Sequence, residues 1–155
     1  MCSSDLGASA LVIYFLLGFE EQIEAGCLRE TVQLALKGAQ VNMPLIVDVQ
    51  PIGPRVVLRQ KAIELGVSYA LEGGADGVAI PWSSGESFKT VLAMAAGTPV
   101  WIKPTDIPEA STELGEALDM GGTGLWLDQR LFASRDPVKR LEEYRAQIHL
   151  PEPTG

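Results

Sequence analysis

Residues 74–82 read GADGVAIPW and contain the clearest strand signal of the chain, an apolar run bounded by a glycine-rich turn. Residues 77–80 are apolar at every position, which is typical of a parallel strand buried on both faces. Helices are predicted on either side of it, over residues 56–71 and 87–96. The stretch is therefore predicted to be the strand between two crossover helices.

The same alternation continues in both directions along the chain. Further strands are predicted at residues 8–15, 44–49, 99–102 and 124–127, and further helices at 20–41, 108–120 and 137–148. Helical crossovers of this length favour parallel strands. The pattern predicts an α/β fold of five strand–helix units, either a doubly wound sheet or part of a barrel. No G-x-G-x-x-G motif follows a strand, so nothing favours a dinucleotide-binding fold.

Composition excludes several function classes. The 155 residues suit one domain, and a net charge of −8 argues against a nucleic-acid partner, which needs a basic face. One histidine, His149, and two distant cysteines, Cys2 and Cys27, provide neither a zinc ligand set nor a disulfide framework. We expect no metal, no other cofactor and a cytoplasmic location. No apolar run approaches the roughly 18 residues of a membrane span, so no membrane association is expected.

Several segments, read in order, resemble the archaeal-type class I fructose-bisphosphate aldolases and the wider deoxyribose-phosphate and tagatose-bisphosphate aldolase group. Residues 64–66 (ELG), 74–82 and 83–88 (SSGESF) resemble the segment of the sixth family strand, E-L-G followed by G-A-D-x-x-K-x-x-Y and a helix that begins near S-F. The fifth-strand segment of the family resembles residues 43–45 (MPL) and 51–53 (PIG) of this chain. The entry to the seventh strand resembles residues 97–100 (GTPV), and the eighth-strand segment resembles residues 121–137 (GGTGLWLDQRLFASRDP).

The resemblance implies a partial (β/α)₈ TIM barrel that comprises family strands four to eight, over residues 7–150. A closed barrel typically needs about 250 residues. Residues 1–6 are predicted to be a non-native leader, because Cys-Ser-Ser-Asp-Leu is also what a common sequencing-adapter string encodes. A genuine short start is the alternative. Residues 151–155 are predicted to be a flexible tail. Five strands alone would leave two open sheet edges, so we expect poor solubility or self-association.

The resemblance also implies a chemistry, in which a lysine amine forms a Schiff base with a substrate ketone and the iminium stabilises a carbanion. The family lysine falls at Ala79, whose methyl group cannot form an imine. The fifth-strand tyrosine used in proton transfer falls at Gln50, and a neutral amide is a poor acid or base. The phosphate-binding glycines after strand seven fall at Pro104 and Thr105, and proline has no amide donor.

Lys103, at the end of the fourth predicted strand, is the candidate catalytic amine. The carboxyl ends of barrel strands are where catalytic groups converge, and partial desolvation between Trp101 and Pro104 would favour a nucleophilic neutral amine. The alternative is a charged lysine that is solvated or paired with Asp106. Asp48, in the second predicted strand, could face the barrel mouth or pair with Arg55.

The candidate substrate-binding residues lie in two places. Ser83, Ser84 and Gly85 could bind a small anion at a helix N-terminus or simply cap that helix. Gln129 and Arg130 fall within the eighth-strand segment, where Arg130 could reach a phosphate or pair with a nearby aspartate.

Two functions follow from these observations. The first is a divergent class I aldolase-like lyase that acts on a small carbonyl compound or phosphosugar and is a homo-oligomer as a full-length protein. The second is a catalytically inactive barrel that binds a ligand or assembles with partners, favoured by the loss of several site groups together. A flavodoxin-like binding domain would instead show a complete doubly wound sheet.

Overall fold

The protein folds as a single parallel sheet whose strands alternate with helices along the chain. A computed structural model describes residues 8–104, 113–127, 129, 131–133 and 135–147. In chain order the elements are β1 (Leu11–Leu17), α1 (Glu21–Gln40), β2 (Leu45–Pro51), α2 (Arg59–Glu72), β3 (Gly77–Pro81), α3 (Gly85–Ala95), β4 (Val100–Lys103), α4 (Glu113–Asp119), β5 (Gly124–Leu125) and α5 (Pro137–Gln147).

The strands lie in the sheet in the order β1-β2-β3-β4-β5, and each pairs in parallel with the next. The α/β class and all five strand–helix units predicted from the sequence are confirmed. Strand β5 is shorter than predicted: its pairing with β4 covers only two residues, although the Trp126 amide still donates to the Ile102 carbonyl at 2.8 Å. Helix α2 begins at Arg59, three residues later than predicted, because residues 56–58 form a loop after β2.

One side of the sheet, the helix-facing side, holds the apolar core. Phe15 on β1, Val47 and Val49 on β2, Val78 on β3 and Ile102 on β4 are all fully buried there. The cluster also includes helix side chains, among them Ile63, Val67, Phe88 and Val91. Because successive strand residues point to opposite faces, the residues between these positions form the other side of the sheet, here called the open side.

The loops after β1 and β2 touch each other at the carboxyl end of the sheet. Gly53 donates its amide to the Leu17 carbonyl at 2.8 Å, and Arg55 donates its amide to Gly18 at the same distance. A Cβ at Gly53 would lie 2.1 Å from the Gly18 backbone, and Gly18 itself has a φ of 83°. Both glycines are therefore required for this contact between the two loops.

Candidate functional site

The open side carries two successive rows of side chains, one in the middle of the strands and one nearer their carboxyl ends. The first row follows the strand register through Tyr14, Asp48, Ala79 and Trp101. Residues paired across neighbouring strands point to the same side of a sheet. Lys103 lies two residues beyond Trp101 on β4, so its side chain also projects to the open side.

Lys103 and Asp48 form a buried ion pair. Only 1% of the surface of Lys103 and 2% of that of Asp48 are exposed, and the Lys103 ammonium donates to Oδ1 of Asp48. The ammonium also donates to the Val49 carbonyl at 3.1 Å. Gln50 Nε2 donates to the same Asp48 oxygen at 3.0 Å. Each charge is thus compensated and further hydrogen-bonded, as buried ions require.

The ion pair spans an intervening strand. Asp48 lies on β2 and Lys103 on β4, and β3 lies between them. Neighbouring strands are about 4.8 Å apart, so β2 and β4 are separated by roughly 10 Å. The four-carbon stem of Lys103 must therefore cross the open side of β3 to reach Asp48. In the register, Asp48 is paired directly with Ala79, which places the ammonium close to this alanine.

A cleft of about 540 Å³ lies on the open side, between β1 and β2 at one edge and the segment after β5 at the other. It is lined by Tyr14, Leu16, Asp48, Gln50, Ile52, Trp126, Leu127 and Gln129. The Trp126 ring contacts the ring of Trp101, with their centroids 5.9 Å apart. The cleft therefore combines one carboxylate, two amides and a phenol with apolar walls, beside the buried ion pair.

The predicted site residues separate into distinct places. Gln129 lines the cleft, and Lys103 lies beside it through its bond to Asp48. Ser84 instead caps α3: its hydroxyl accepts from the Ser87 amide at 3.3 Å and from Gln60 Nε2 at 2.8 Å. Neither Ser84 nor its neighbours, Ser83 and Gly85, contribute to the cleft lining. The capping alternative that the sequence left open is therefore observed for Ser84, and anion binding by this loop stays a prediction.

Several predicted positions lie outside the described residues: Thr105, Asp106, Arg130 and His149, the leader predicted at residues 1–6 and the tail predicted at 151–155. The predicted phosphate contact of Arg130 and the predicted pairing of Lys103 with Asp106 therefore stay predictions. In the part of the chain that the structure describes, no group of three or more His, Cys, Asp or Glu side chains converges as a metal site would. None of the helices described there has the length and hydrophobicity needed to cross a bilayer.

The pairing of Asp48 with Lys103 is the feature that sequence reasoning missed. The sequence left open whether Asp48 faces the barrel mouth or pairs with Arg55; it lies on the open side, lines the cleft and forms an ion pair with Lys103. A signal was present in the sequence: Asp48 interrupts the apolar run PLIVDV, and Lys103 ends the apolar run PVWIK. Two opposite charges in strands predicted to be buried favour a buried ion pair.

Comparisons with known proteins agree with this architecture. No protein-family model matches the chain. An archaeal fructose 1,6-bisphosphate aldolase superposes with a TM-score of 0.75 at 24% identity, over 94% of this chain and 58% of the other. An archaeal aldolase whose catalytic lysine is covalently bound to the carbinolamine intermediate of its substrate superposes at 0.77 and 22% identity, over 94% and 60%. The chain has the fold of the class I aldolases.

Curated sequences give a second similarity. The 3-hydroxy-5-phosphonooxypentane-2,4-dione thiolases of Salmonella paratyphi A and Salmonella typhimurium are both 28% identical over 147 residues. The match covers 92% of this chain and 47% of each thiolase, so the chain spans about half the length of these relatives. The predicted resemblance to the class I aldolases is thus confirmed, and the five strands correspond to part of the neighbours' TIM barrel. The open side of this aldolase-like sheet corresponds to the barrel interior.

Proposed function

We propose that the protein is a divergent class I aldolase-like enzyme that acts on a small carbonyl compound through an imine at Lys103. The observation that carries this proposal is the buried Lys103–Asp48 pair, which places an amine from the carboxyl end of β4 against a carboxylate of β2 that lines a cleft. In barrels of this type, catalytic groups come from those strand ends. The aldolase-like fold supports the same reaction class.

The two side chains have complementary tasks in this chemistry. Asp48 accepts a proton from the Lys103 ammonium as the pair opens, which leaves a neutral amine for attack. The amine adds to the ketone carbon, and loss of one water from the carbinolamine gives an iminium. The electron pair of the breaking carbon–carbon or carbon–hydrogen bond then moves into the iminium to form an enamine. In carbon–carbon cleavage the other fragment loses its hydroxyl proton and leaves as an aldehyde; the proton released in either case goes to Asp48, which has given its first proton to the departing water. Protonation of that enamine and addition of water release the product ketone and restore the amine.

The substrate class follows from the cleft as far as its described lining allows. Gln50 and Gln129 offer amide donors and acceptors, whereas Trp126 and Leu127 offer apolar contact. Such a lining suits a small hydroxylated carbonyl compound, and Arg130, which follows Gln129 in the sequence, is the residue we propose for a phosphate group if the substrate has one. A cytoplasmic location and a homo-oligomeric full-length protein complete the proposal.

Exchange of α-protons tests the proposed reaction without requiring the natural substrate. An enamine that forms reversibly in D₂O introduces deuterium at the carbon next to the carbonyl, and proton NMR measures that exchange. Dihydroxyacetone and dihydroxyacetone phosphate are matched probes that differ by one phosphate. We expect exchange with the wild-type protein and none above background with Lys103→Met. Equal exchange by both proteins would contradict a role for this amine.

A second function is favoured by one specific observation. Lys103 and Asp48 neutralise each other and are almost completely buried, an arrangement that also suits a purely structural pair in an inactive ligand-binding barrel. A ligand that quenches the fluorescence of Trp126 but undergoes no α-proton exchange would support this alternative. Exchange that depends on Lys103 would exclude it.

A further inference from the structure

Strand β3 contains two residues whose properties suit the passage of the Lys103 side chain. Ala79 and Pro81 both project to the open side, since Ala79 is paired with Asp48 and Pro81 with Lys103. The side chain of Lys103 runs from its position beside Pro81 to an oxygen beside Ala79. Ala79 is fully buried. Trp101, the neighbouring open-side residue of β4, also extends over β3. Its ring covers Gly77, where an added Cβ would lie 2.5 Å from the ring.

The size of residue 79 limits what can lie above it. The side chain of alanine is a single methyl group, so the methylenes of Lys103 can pass over β3. A longer or branched side chain at this position would occupy the same space and displace the lysine, since packed interiors leave few voids. Ala79 is the position at which the resembled aldolases carry their own lysine, so Lys103 passes through space that such a lysine would occupy.

Pro81 explains the second hydrogen bond of the ammonium. The amide of Val78 on β3 donates to the carbonyl of Pro99, just before β4, at 3.0 Å, and the amide of Trp82, just after β3, donates to the Lys103 carbonyl at 3.4 Å. Backbone groups alternate in direction along a strand, so the intervening residue 81 faces β2 at the level of the Val49 carbonyl. Proline has no N–H to donate. Val49 accepts from the Lys103 ammonium instead, at 3.1 Å.

We infer that Ala79 and Pro81 are positioning residues for Lys103. Ala79 leaves space for the lysine side chain to pass, and Pro81 leaves the Val49 carbonyl as an acceptor for the ammonium. Together they bring the amine to the place that the resembled aldolases reach with a lysine on the neighbouring strand. The inference rests on the proposed function for its catalytic meaning. Its structural content stands separately, because the path of Lys103 can be measured without any substrate.

Reductive methylation measures how strongly the amine is held. Formaldehyde condenses with a lysine amine with loss of water, cyanoborohydride supplies hydride to the resulting imine, and peptide mapping by mass gives a rate for each lysine. Lys61 and Lys139 are internal references, since 72% of each side chain is exposed. We expect Lys103 to react more than about tenfold more slowly than either reference, because a buried group reacts only when the structure opens.

Ala79→Val tests the space above β3. We expect the labelling of Lys103, relative to Lys61, to rise several-fold because the added methyls displace the side chain. Ala70→Val is the matched control: it overpacks an equally buried alanine in α2, on the other side of the sheet, and should leave the labelling ratio at its wild-type value. Equal ratios in wild type and Ala79→Val, or equal increases in both variants, would overturn the inference.

Pro81→Ala tests the acceptor and does not depend on overpacking. The new N–H competes for the Val49 carbonyl, so we expect a smaller but measurable rise in Lys103 labelling. No change would remove Pro81 from the inference.

The exchange variant Ala79→Lys/Lys103→Ala tests equivalence of the two positions. Ala79→Lys alone places two ammonium groups at one carboxylate and should lower the unfolding midpoint strongly, whereas the double variant should recover most of that loss. A double variant no more stable than Ala79→Lys would contradict a shared location. If the labelling rates and the unfolding midpoints are as expected while α-proton exchange is absent, the positioning of Lys103 is right and the proposed enzyme function is wrong.

Discussion

The two sides of the sheet differ most clearly within a single strand. Phe15 and Tyr14 are neighbours on β1, yet Phe15 is fully buried on the helix-facing side and Tyr14 is 66% exposed on the open side. On β2, Val47 and Asp48 repeat the contrast between an apolar and a charged residue. The helix-facing side is a complete apolar core, whereas the open side places polar groups around a cleft. The two-residue period of the strands thus places the core residues on one side of the sheet and the candidate site residues on the other.

The strongest test of this separation removes one large side chain from each side. Phe15→Ala should lower the free energy of unfolding by about 3–5 kcal/mol, because it leaves a cavity in a filled core. Tyr14→Ala should change it by less than about 0.5 kcal/mol, as expected for an exposed position. Chemical denaturation of both variants measures the difference. Similar losses for the two would mean that the open side is packed as tightly as the core.

The buried ion pair of the open side should be nearly as sensitive. Lys103→Met keeps most of the side-chain volume but leaves Asp48 buried without its cation, at a cost of about 3–5 kcal/mol. Asp48→Asn/Lys103→Met removes both charges and should recover most of that loss. Denaturation of the single and double variants gives the coupling. A double variant as unstable as the single one would show that the pair does not behave as a unit.

Two helix glycines distinguish packed from open helix surface. A Cβ at Gly66 would lie 2.5 Å from Leu17 Cδ1 and 2.6 Å from Val49 Cγ1, whereas a Cβ at Gly26 meets nothing within 4 Å. Gly66→Ala should cost about 1–3 kcal/mol by overpacking. Gly26→Ala should stabilise the protein by up to about 1 kcal/mol through helix propensity. Thermal melts measure both, and a stabilising Gly66→Ala would show that α2 packs loosely on the sheet.

The smallest effect is expected at the N-terminus of α3. Ser84→Ala removes the hydroxyl that accepts from the Ser87 amide and should cost about 1 kcal/mol, with no effect on α-proton exchange. Ser83→Ala is the control, since Ser84 is the N-cap residue and Ser83 precedes it. Loss of exchange in Ser84→Ala at unchanged stability would instead favour the substrate-binding role predicted for this loop.

Most of the fold could be predicted because its signals are local. Continuous apolar runs such as residues 77–80 identify buried parallel strands, and the helices between them require parallel crossovers. The ends of elements were less predictable. Helix α2 begins after residues 56–58, although Val57 and Leu58 are apolar, because both are exposed in a loop after β2. Local hydrophobicity cannot distinguish an exposed apolar loop from the first turn of a helix.

The candidate site was less predictable because it depends on register between distant strands. Lys103 could be proposed from its place at a strand end, but its bond to Asp48 joins residues 55 positions apart. That contact requires β2, β3 and β4 to be adjacent and in one register, which no local pattern specifies. The sequence shows that Ala79 stands where the resembled family has a lysine. That Ala79 also leaves space for the Lys103 side chain becomes visible only in three dimensions.

We propose that Lys103, on the neighbouring strand, supplies the amine that the resemblance to class I aldolases implies at position 79. Borohydride reduction in the presence of dihydroxyacetone, followed by peptide mapping, tests it most directly. Because a bound ketone should open the Lys103–Asp48 pair whereas formaldehyde should not, we expect an adduct that, unlike the methyl label, accumulates on Lys103 faster than on the exposed Lys61 and Lys139. An adduct distributed only over the exposed lysines, in folded protein, would contradict it and leave the ligand-binding barrel as the better description.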